Sequence, residues 1–269
     1  MDKSAKKLWQ SKPIKGVLLD ISGVLLNGDQ SIDGSVQAFE RLKENGIPVR
    51  LVTNESSQTV DQLFEILKNA GFQSLRKEQI FSPIYATCMY LKEHGLRPHL
   101  LVHPNVEVDF SPLSLSNQNC VVIGDAGQSF SYENMNNAFR CLIGMDKPIL
   151  ISMGQGRYYS GTEGLLLDVG VFKTALEFAC STEAIVMGKP SKDFFMSAVD
   201  DMKLSAEEVV MVGDDIRNDV GGAQSCGIRG LLVRTGKFRP SDENDVVKPD
   251  EIVDNLAKAV SKILDVWKQ

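Results

Sequence analysis

Short apolar runs recur along the chain, and between them hydrophobic residues return at every third or fourth position. The runs are Val17–Leu19, Val49–Val52, Leu100–Val102, Cys120–Ile123, Ile149–Ile151, Ile185–Met187, Val209–Val212 and Leu231–Val233. They do not alternate polar with apolar, so they predict strands covered on both faces, as in a parallel sheet. The intervening periodicity predicts amphipathic helices. One carries Val60, Leu63, Phe64 and Leu67, a second Phe195, Ala198, Val199 and Met202, and the last Val253, Leu256, Val260, Ile263 and Trp267. Such spacings set the apolar side chains on one face. Strand alternating with helix predicts an α/β fold with a doubly wound, mainly parallel, Rossmann-like sheet.

Length and composition refine this picture only slightly. At 269 residues the chain fits one large domain, or a core with a second domain inserted in it. Breaks near Ser82-Pro83 and Thr182-Ala184 predict a catalytic core of 1–82 and 184–269 and an inserted α/β cap of 83–183, which carries strands and helices of its own. The formal net charge of -6 argues against a nucleic-acid-binding face, which needs a basic patch. The first residues are polar, without the apolar core of a signal peptide, and no run reaches the length of a membrane span. Five scattered cysteines without paired spacing predict reduced thiols. Together these features predict a cytoplasmic protein, with the nucleus left open. His94, His99 and His103 straddle a turn and are expected to be structural or surface residues, not metal ligands.

Candidate chemistry lies just past the strands, because ligands of open α/β sheets bind beyond the carboxyl ends. After Val17–Leu19 come Asp20 and Ser22, joined by Ile21. After Val49–Val52 come Thr53 and Asn54, then Glu55. After Ile185–Met187 come Gly188, Lys189 and Pro190. After Val209–Val212 come Gly213, Asp214 and Asp215, with Asp219 four residues on. The carboxylates suit a hard cation, which prefers oxygen ligands. The ammonium suits an anion. Hydroxyl, amide and backbone N–H groups, with a helix expected to begin near Ser56, suit phosphate oxygens. A carboxylate beside them can accept a phosphoryl group covalently.

These stretches, "DISGV", "TNES", "GKPS" and "GDDIRND", resemble the four motifs of the haloacid dehalogenase-like hydrolase superfamily. Their spacing resembles its branch with a large α/β cap inserted between the second and third motifs. Longer strings, among them "NCVVIGDAGQSFSYENMNNAF" and "RTGKFRPSDE", extend the resemblance over nearly the whole chain. The resemblance implies a Mg²⁺-dependent hydrolase of P–N bonds, as in phosphohistidine and phospholysine, and of inorganic pyrophosphate. It also implies a homodimer, with no nucleic-acid or membrane partner. Asp20 takes the place of the nucleophile and of a metal ligand. The backbone carbonyl of Ser22 completes the metal site with Asp214, and Asp219 holds a metal-bound water. Thr53, Asn54 and the backbone at Ile21, Ser22 and Glu55 meet phosphoryl oxygens. Lys189 pairs with Asp20 and the phosphate.

One departure from the pattern stands at Ser22, where most phosphatases of the superfamily carry the aspartate that serves as general acid and base. Such catalysis is worth on the order of 10²–10⁴-fold. A serine keeps the backbone carbonyl but loses the proton transfer. The expected consequence is preference for leaving groups that need little protonation, such as imidazole or inorganic phosphate. The alternative is that Glu55 supplies the proton. Two rival functions remain: a phosphate-binding interaction scaffold with weak activity, and a phosphatase of small monoesters. A receiver-like signalling domain is disfavoured, since there the acidic pair comes first in the chain. In the cap, Asp125–Phe130 is a candidate substrate-side lip, and the Gly-rich stretch 152–164 a candidate loop with Arg157, Tyr158 and Tyr159 as contacts.

Overall fold

The computed structural model describes residues 13–161 and 164–267, with backbone alone at 159–161 and 164–165. The strands, in chain order, are β1 (Gly16–Leu19), β2 (Leu26–Asn27), β3 (Gln30–Ser31), β4 (Val49–Val52), β5 (Ile80–Phe81), β6 (Pro98–Leu101) and β7 (Cys120–Ile123). They continue with β8 (Leu150–Ser152), β9 (Tyr158–Gly161), β10 (Gly164–Leu167), β11 (Ile185–Val186), β12 (Val209–Gly213), β13 (Arg229–Val233) and β14 (Glu251–Val253). Two compact units emerge. One holds the described residues up to Thr53, Asp61–Phe81 and those from Lys189 on; the other holds Asn54–Val60 and Ser82–Gly188.

The first unit is built on a six-stranded sheet in the order β14-β13-β12-β1-β4-β5. Every pairing in it is parallel. From β1 the chain winds one way through β4 to β5, then returns to β12 and winds the other way to β14. The reversal lies between β1 and β12. Residues Val17–Leu19 and Val209–Val212 are wholly buried, which is why their runs are continuously apolar. Helix Ser35–Glu44 buries Ala38, Phe39 and Leu42, and helix Leu256–Trp267 buries Leu256, Val260, Ile263 and Leu264. Phe39 meets Phe72 edge-on at 5.7 Å, and Phe81 meets Phe194 at 5.5 Å. Burial of each such side chain contributes roughly 1.5–3 kcal/mol.

The second unit has a four-stranded sheet in the order β11-β8-β7-β6, again all parallel. Its core joins Leu101, Val121, Ile123, Leu142, Leu150 and Leu176. Helices Tyr132–Ile143 and Val169–Cys180 contribute Leu142 and Leu176 to it, and Phe130 stacks on Phe172 at 3.7 Å. Strands β9 and β10 pair antiparallel in a separate two-stranded sheet. No helix among the described residues is long and apolar enough to cross a membrane.

Several expectations change. Of the run Ile185–Met187, Ile185–Val186 form strand β11, but in the second unit's sheet beside β8, not in the sheet that carries Asp20. The chain crosses between units after Gly188, not near Thr182-Ala184. The helix expected from Ser56 begins at Val60, because 54–59 run as an irregular segment. Val253 belongs to strand β14 and not to the last helix.

Candidate active site

The reversal of winding decides where the acidic residues meet. In a sheet that reverses, the loops on either side of the switch diverge and leave a crevice at the strand ends. Leu19 of β1 lies level with Val212 of β12, and the amide of Asp20 donates to the Val212 carbonyl at 3.0 Å. Just past this level, Asp20 and Asp214 therefore emerge side by side. Both are buried, at 7% and 1% exposure.

Lys189 opens the return of the chain to the first unit. Its Nζ donates to Asp20 Oδ1 at 2.7 Å and to the Val52 carbonyl at 3.0 Å, and it pairs with Asp219 Oδ1 at 2.8 Å. Burial alone would lower its pKa, but Asp20 and Asp219 more than offset this and hold it above the usual lysine value. Asp20 Oδ1 also accepts from the Ile21 amide at 2.8 Å. Lys189 and the Ile21 amide thus bond the same oxygen, which fixes the carboxylate and leaves Oδ2 for other work. Burial raises the Asp20 pKa against the pull of Lys189, and the charge of Asp214 adds to the rise.

The acids after β12 divide their roles by geometry. Asp215 turns back to cap the π-helical turn Ile216–Gly221, accepting from the amides of Arg217 at 3.0 Å and Asn218 at 2.9 Å. That turn brings Asp219 round to the site, where its Oδ2 accepts from the Asp215 amide at 3.1 Å. Burial, with the charge of Asp20, pushes Asp219 up to about 6 against the pull of Lys189.

Asp20, Asp214 and Asp219 offer ligand oxygens that all lie within 4.8 Å of one another. Three buried carboxylates surround one buried ammonium, so the cluster is short of positive charge. Asp214 Oδ1 is buried and has no hydrogen-bond partner among the described residues. A buried oxygen left so costs about 1–3 kcal/mol, more when charged. An all-oxygen donor set with an orphaned carboxylate oxygen fits a hard divalent cation. The arrangement can therefore present a fixed carboxylate to an electrophile beside a metal and an ammonium.

The remaining expected residues take varied places. Ser22 is exposed, immediately before a tight turn in which Gly23 N donates to the Leu26 carbonyl at 2.7 Å. Thr53 is buried directly past β4, beside the strand that carries Asp20. Asn54 and Glu55 begin the segment that groups with the second unit. Glu55 Oε1 accepts from Ser57 N at 2.6 Å and Ser57 Oγ at 2.7 Å. Ser56 Oγ accepts from the amide of Asp125, the first residue of the candidate lip, at 3.3 Å. Tyr158 is exposed, while the side chain of Tyr159 lies outside the described residues. His94 stacks on Tyr90, and His103 Nδ1 accepts from Asn105 N; neither joins a metal-ligating group among the described residues. All five cysteines are free thiols.

One contributor escapes a reading of strand ends by residue type. The turn after β13, Thr235 to Lys237, meets Asp214: the Lys237 amide donates to its Oδ2 at 2.6 Å. Leu231–Val233 is recognisable as a strand, so the "TGK" beyond it holds the same positional signal as the other motifs. Its chemistry is carried by backbone and glycine, which residue types alone do not advertise.

With this geometry in view, likeness to known proteins becomes informative. The family model for haloacid dehalogenase-like hydrolases matches residues 17–135, and a related one for HAD-hydrolase-like proteins matches 186–259. The phospholysine phosphohistidine inorganic pyrophosphate phosphatase of Homo sapiens is 53% identical over 256 residues, covering 93% of this chain and 94% of its own. The chain belongs to the haloacid dehalogenase-like hydrolases. Within that family, the hydrolase domain-containing protein 2 of Bos taurus is 41% identical, covering 87% of this chain and 90% of its own. Among solved structures, p-nitrophenyl phosphatase from Archaeoglobus fulgidus is similar with a TM-score of 0.84 and 25% identity, covering 93% of this chain and all of that one (100%). The 4-nitrophenylphosphatase of Thermotoga maritima gives 0.83 and 26%, covering 93% and 97%.

Proposed function

We propose that this hydrolase is a Mg²⁺-dependent phosphatase that cleaves P–N bonds and inorganic pyrophosphate through a phosphorylated Asp20. The observation that carries the reading is the buried, unpartnered Asp214 Oδ1 in a cluster of three carboxylates around one lysine. The names of the relatives more than half identical over most of the chain supply the substrate class.

In this reading Asp20 Oδ2 attacks phosphorus while Lys189 and the Ile21 amide hold Oδ1, so the attacking oxygen keeps one direction. The bond from phosphorus to the leaving nitrogen or oxygen breaks, and water then cleaves the aspartyl phosphate. Lys189 and Thr53 offset charge on the transferring phosphoryl oxygens; such preorganised donors are worth roughly 3 kcal/mol each in the transition state. Asp20, Asp214 and the Ser22 carbonyl would hold Mg²⁺, with Asp219 acting through a metal-bound water, and the ion would supply further neutralisation of those oxygens. Ser22 provides no acid for the leaving group, and Glu55 is engaged by Ser57. Leaving groups that already carry a proton, or that are stable as anions, are therefore favoured.

A second reading, hydrolysis of small monoesters, draws support from the likeness to the two nitrophenyl phosphatases. The test is a substrate panel of phosphoimidazole, phospholysine, pyrophosphate, an aryl phosphate and an alkyl phosphate, each with Mg²⁺ and with EDTA. Fast, EDTA-sensitive turnover of the P–N compounds and pyrophosphate, with slow alkyl hydrolysis, supports the first reading. Turnover confined to monoesters would favour the second. We also propose a homodimer, which light scattering of the purified protein checks.

A further inference from the structure

Around Asp214 the backbone is packed unusually close. Gly23, in the turn after β1, has φ 84, and a Cβ there would come within 2.0 Å of Asp214 Oδ2. Gly236, in the turn after β13, has φ 57, and its Cβ would lie at the same 2.0 Å from that oxygen and 2.5 Å from the Gly23 Cα. Only glycine fits such close approach at positive φ. Two turns from opposite sides of the switch point thus pinch one carboxylate oxygen.

Hydrogen bonds complete the clamp. Lys237 N donates to Asp214 Oδ2 at 2.6 Å. Thr235 Oγ1 donates to the Gly23 carbonyl, tying the two turns together. The later turn is itself braced. Phe238 N donates to the Thr235 carbonyl at 3.2 Å, and the Phe238 ring packs on the cluster of Ile216, Val220 and Leu232. The clamp holds Oδ2 of Asp214, while Oδ1 is buried without a partner. It therefore sets the direction in which the other oxygen points. It also holds Gly23, whose peptide link is to Ser22, the residue whose carbonyl is the remaining candidate ligand.

We propose that the Thr235–Lys237 turn is a positioning element of the cation site, aligning Asp214 Oδ1 and the Ser22–Gly23 peptide for a divalent metal. The inference rests on the metal-dependent reading above. It makes Thr235, Gly236 and the Lys237 amide positioning groups, which act through Asp214 and touch no substrate. Partners that orient a metal ligand typically govern affinity by 10–100-fold.

The experiment measures Mg²⁺ affinity by calorimetry, and metal-free thermal unfolding, for the wild type, Thr235→Val, Thr235→Ser and Gly236→Ala. Thr235→Val keeps the shape and removes one hydrogen bond. It is expected to weaken Mg²⁺ binding about tenfold, with Thr235→Ser close to wild type. Gly236→Ala is expected to weaken it at least as much; if that variant fails to fold, the two Thr235 variants carry the test. Affinities within about twofold of wild type in Thr235→Val, whether or not its metal-free stability falls, would overturn the proposal and assign the turn a structural role. Absence of Mg²⁺ binding by the wild type would instead overturn the metal-dependent reading, and this inference with it.

Discussion

The two main sheets of this chain are alike locally and differ in one global respect. Both are parallel, both are built from short apolar strands, and both are flanked by amphipathic helices. The sheet of the second unit advances steadily, β6 to β7 to β8 to β11, always toward the same edge. That of the first unit starts in the middle and winds both ways. Only the first has a point where neighbouring strands send their loops apart. The residues beyond the strand ends differ accordingly. Past β8 and β11 stand Met153 and Met187, both buried and apolar. Past β1, β4 and β12 stand Asp20, Thr53 and Asp214, buried and polar. Topology, more than composition, determines which strand ends can hold charge, because only a crevice lets buried carboxylates face a ligand.

The comparison is broken most severely by removing the groups at the switch point. Asp20→Asn is expected to lower turnover of pyrophosphate by a factor of roughly 10⁴ or more, since an amide neither attacks phosphorus nor binds metal as a carboxylate does. Steady-state assays of repurified protein check this, and substantial residual activity would shift the nucleophile elsewhere. Next in size is Lys189→Met. It leaves Asp20 and Asp219 buried without their shared cation, and breaking a buried pair this way costs about 3–5 kcal/mol of stability. Denaturant unfolding should show that loss, with kcat falling on the order of 10²-fold as one electrostatic partner is removed. An unchanged midpoint would mean that water or another cation already serves those acids.

Much of this site is legible in the sequence because each residue follows a short apolar run. Asp20, Thr53, Asp214 and Asp219 can be collected in that way, and the structure brings them to one sheet edge. Sheet membership is harder to read. Strands covered on both faces carry no alternation, so Ile185–Val186 looks the same as Val209–Val212 although it pairs with β8. Lys189 consequently reaches Asp20 from the chain's return between units, not from a strand of the same sheet. Strands β5 and β14 are too short, at two and three residues, to stand out from the turns around them. The 235–237 turn is hidden because it works through an amide, a hydroxyl and a glycine.

Two gentler changes sharpen the comparison. Ser22→Asp supplies the acid absent at the switch point and is expected to raise alkyl phosphate hydrolysis about 10–100-fold, a gain attributable to general acid–base catalysis. Rates on an alkyl and an aryl phosphate, compared between variant and wild type, check this; an equal gain on both would argue against proton donation as the cause. Least disruptive is a change at a strand of the second sheet. Ser152, the last residue of β8, is buried, and its Oγ donates to the Gly154 carbonyl at 2.6 Å. Ser152→Ala should cost about 1 kcal/mol of stability and leave Mg²⁺ affinity unchanged. A marked loss of Mg²⁺ affinity in that variant would end the distinction drawn between the two sheets.

The central claim, that Asp20 at the β1–β12 switch point accepts the phosphoryl group, is tested most directly by acid quench of the working enzyme followed by peptide mapping. With pyrophosphate and Mg²⁺, the phosphoryl group should be found on the peptide containing Asp20, and slow water attack without a carboxylate at Ser22 should favour its accumulation. The label should vanish with EDTA and in Asp20→Asn. Phosphate on another residue, or continued turnover by Asp20→Asn, would contradict the account.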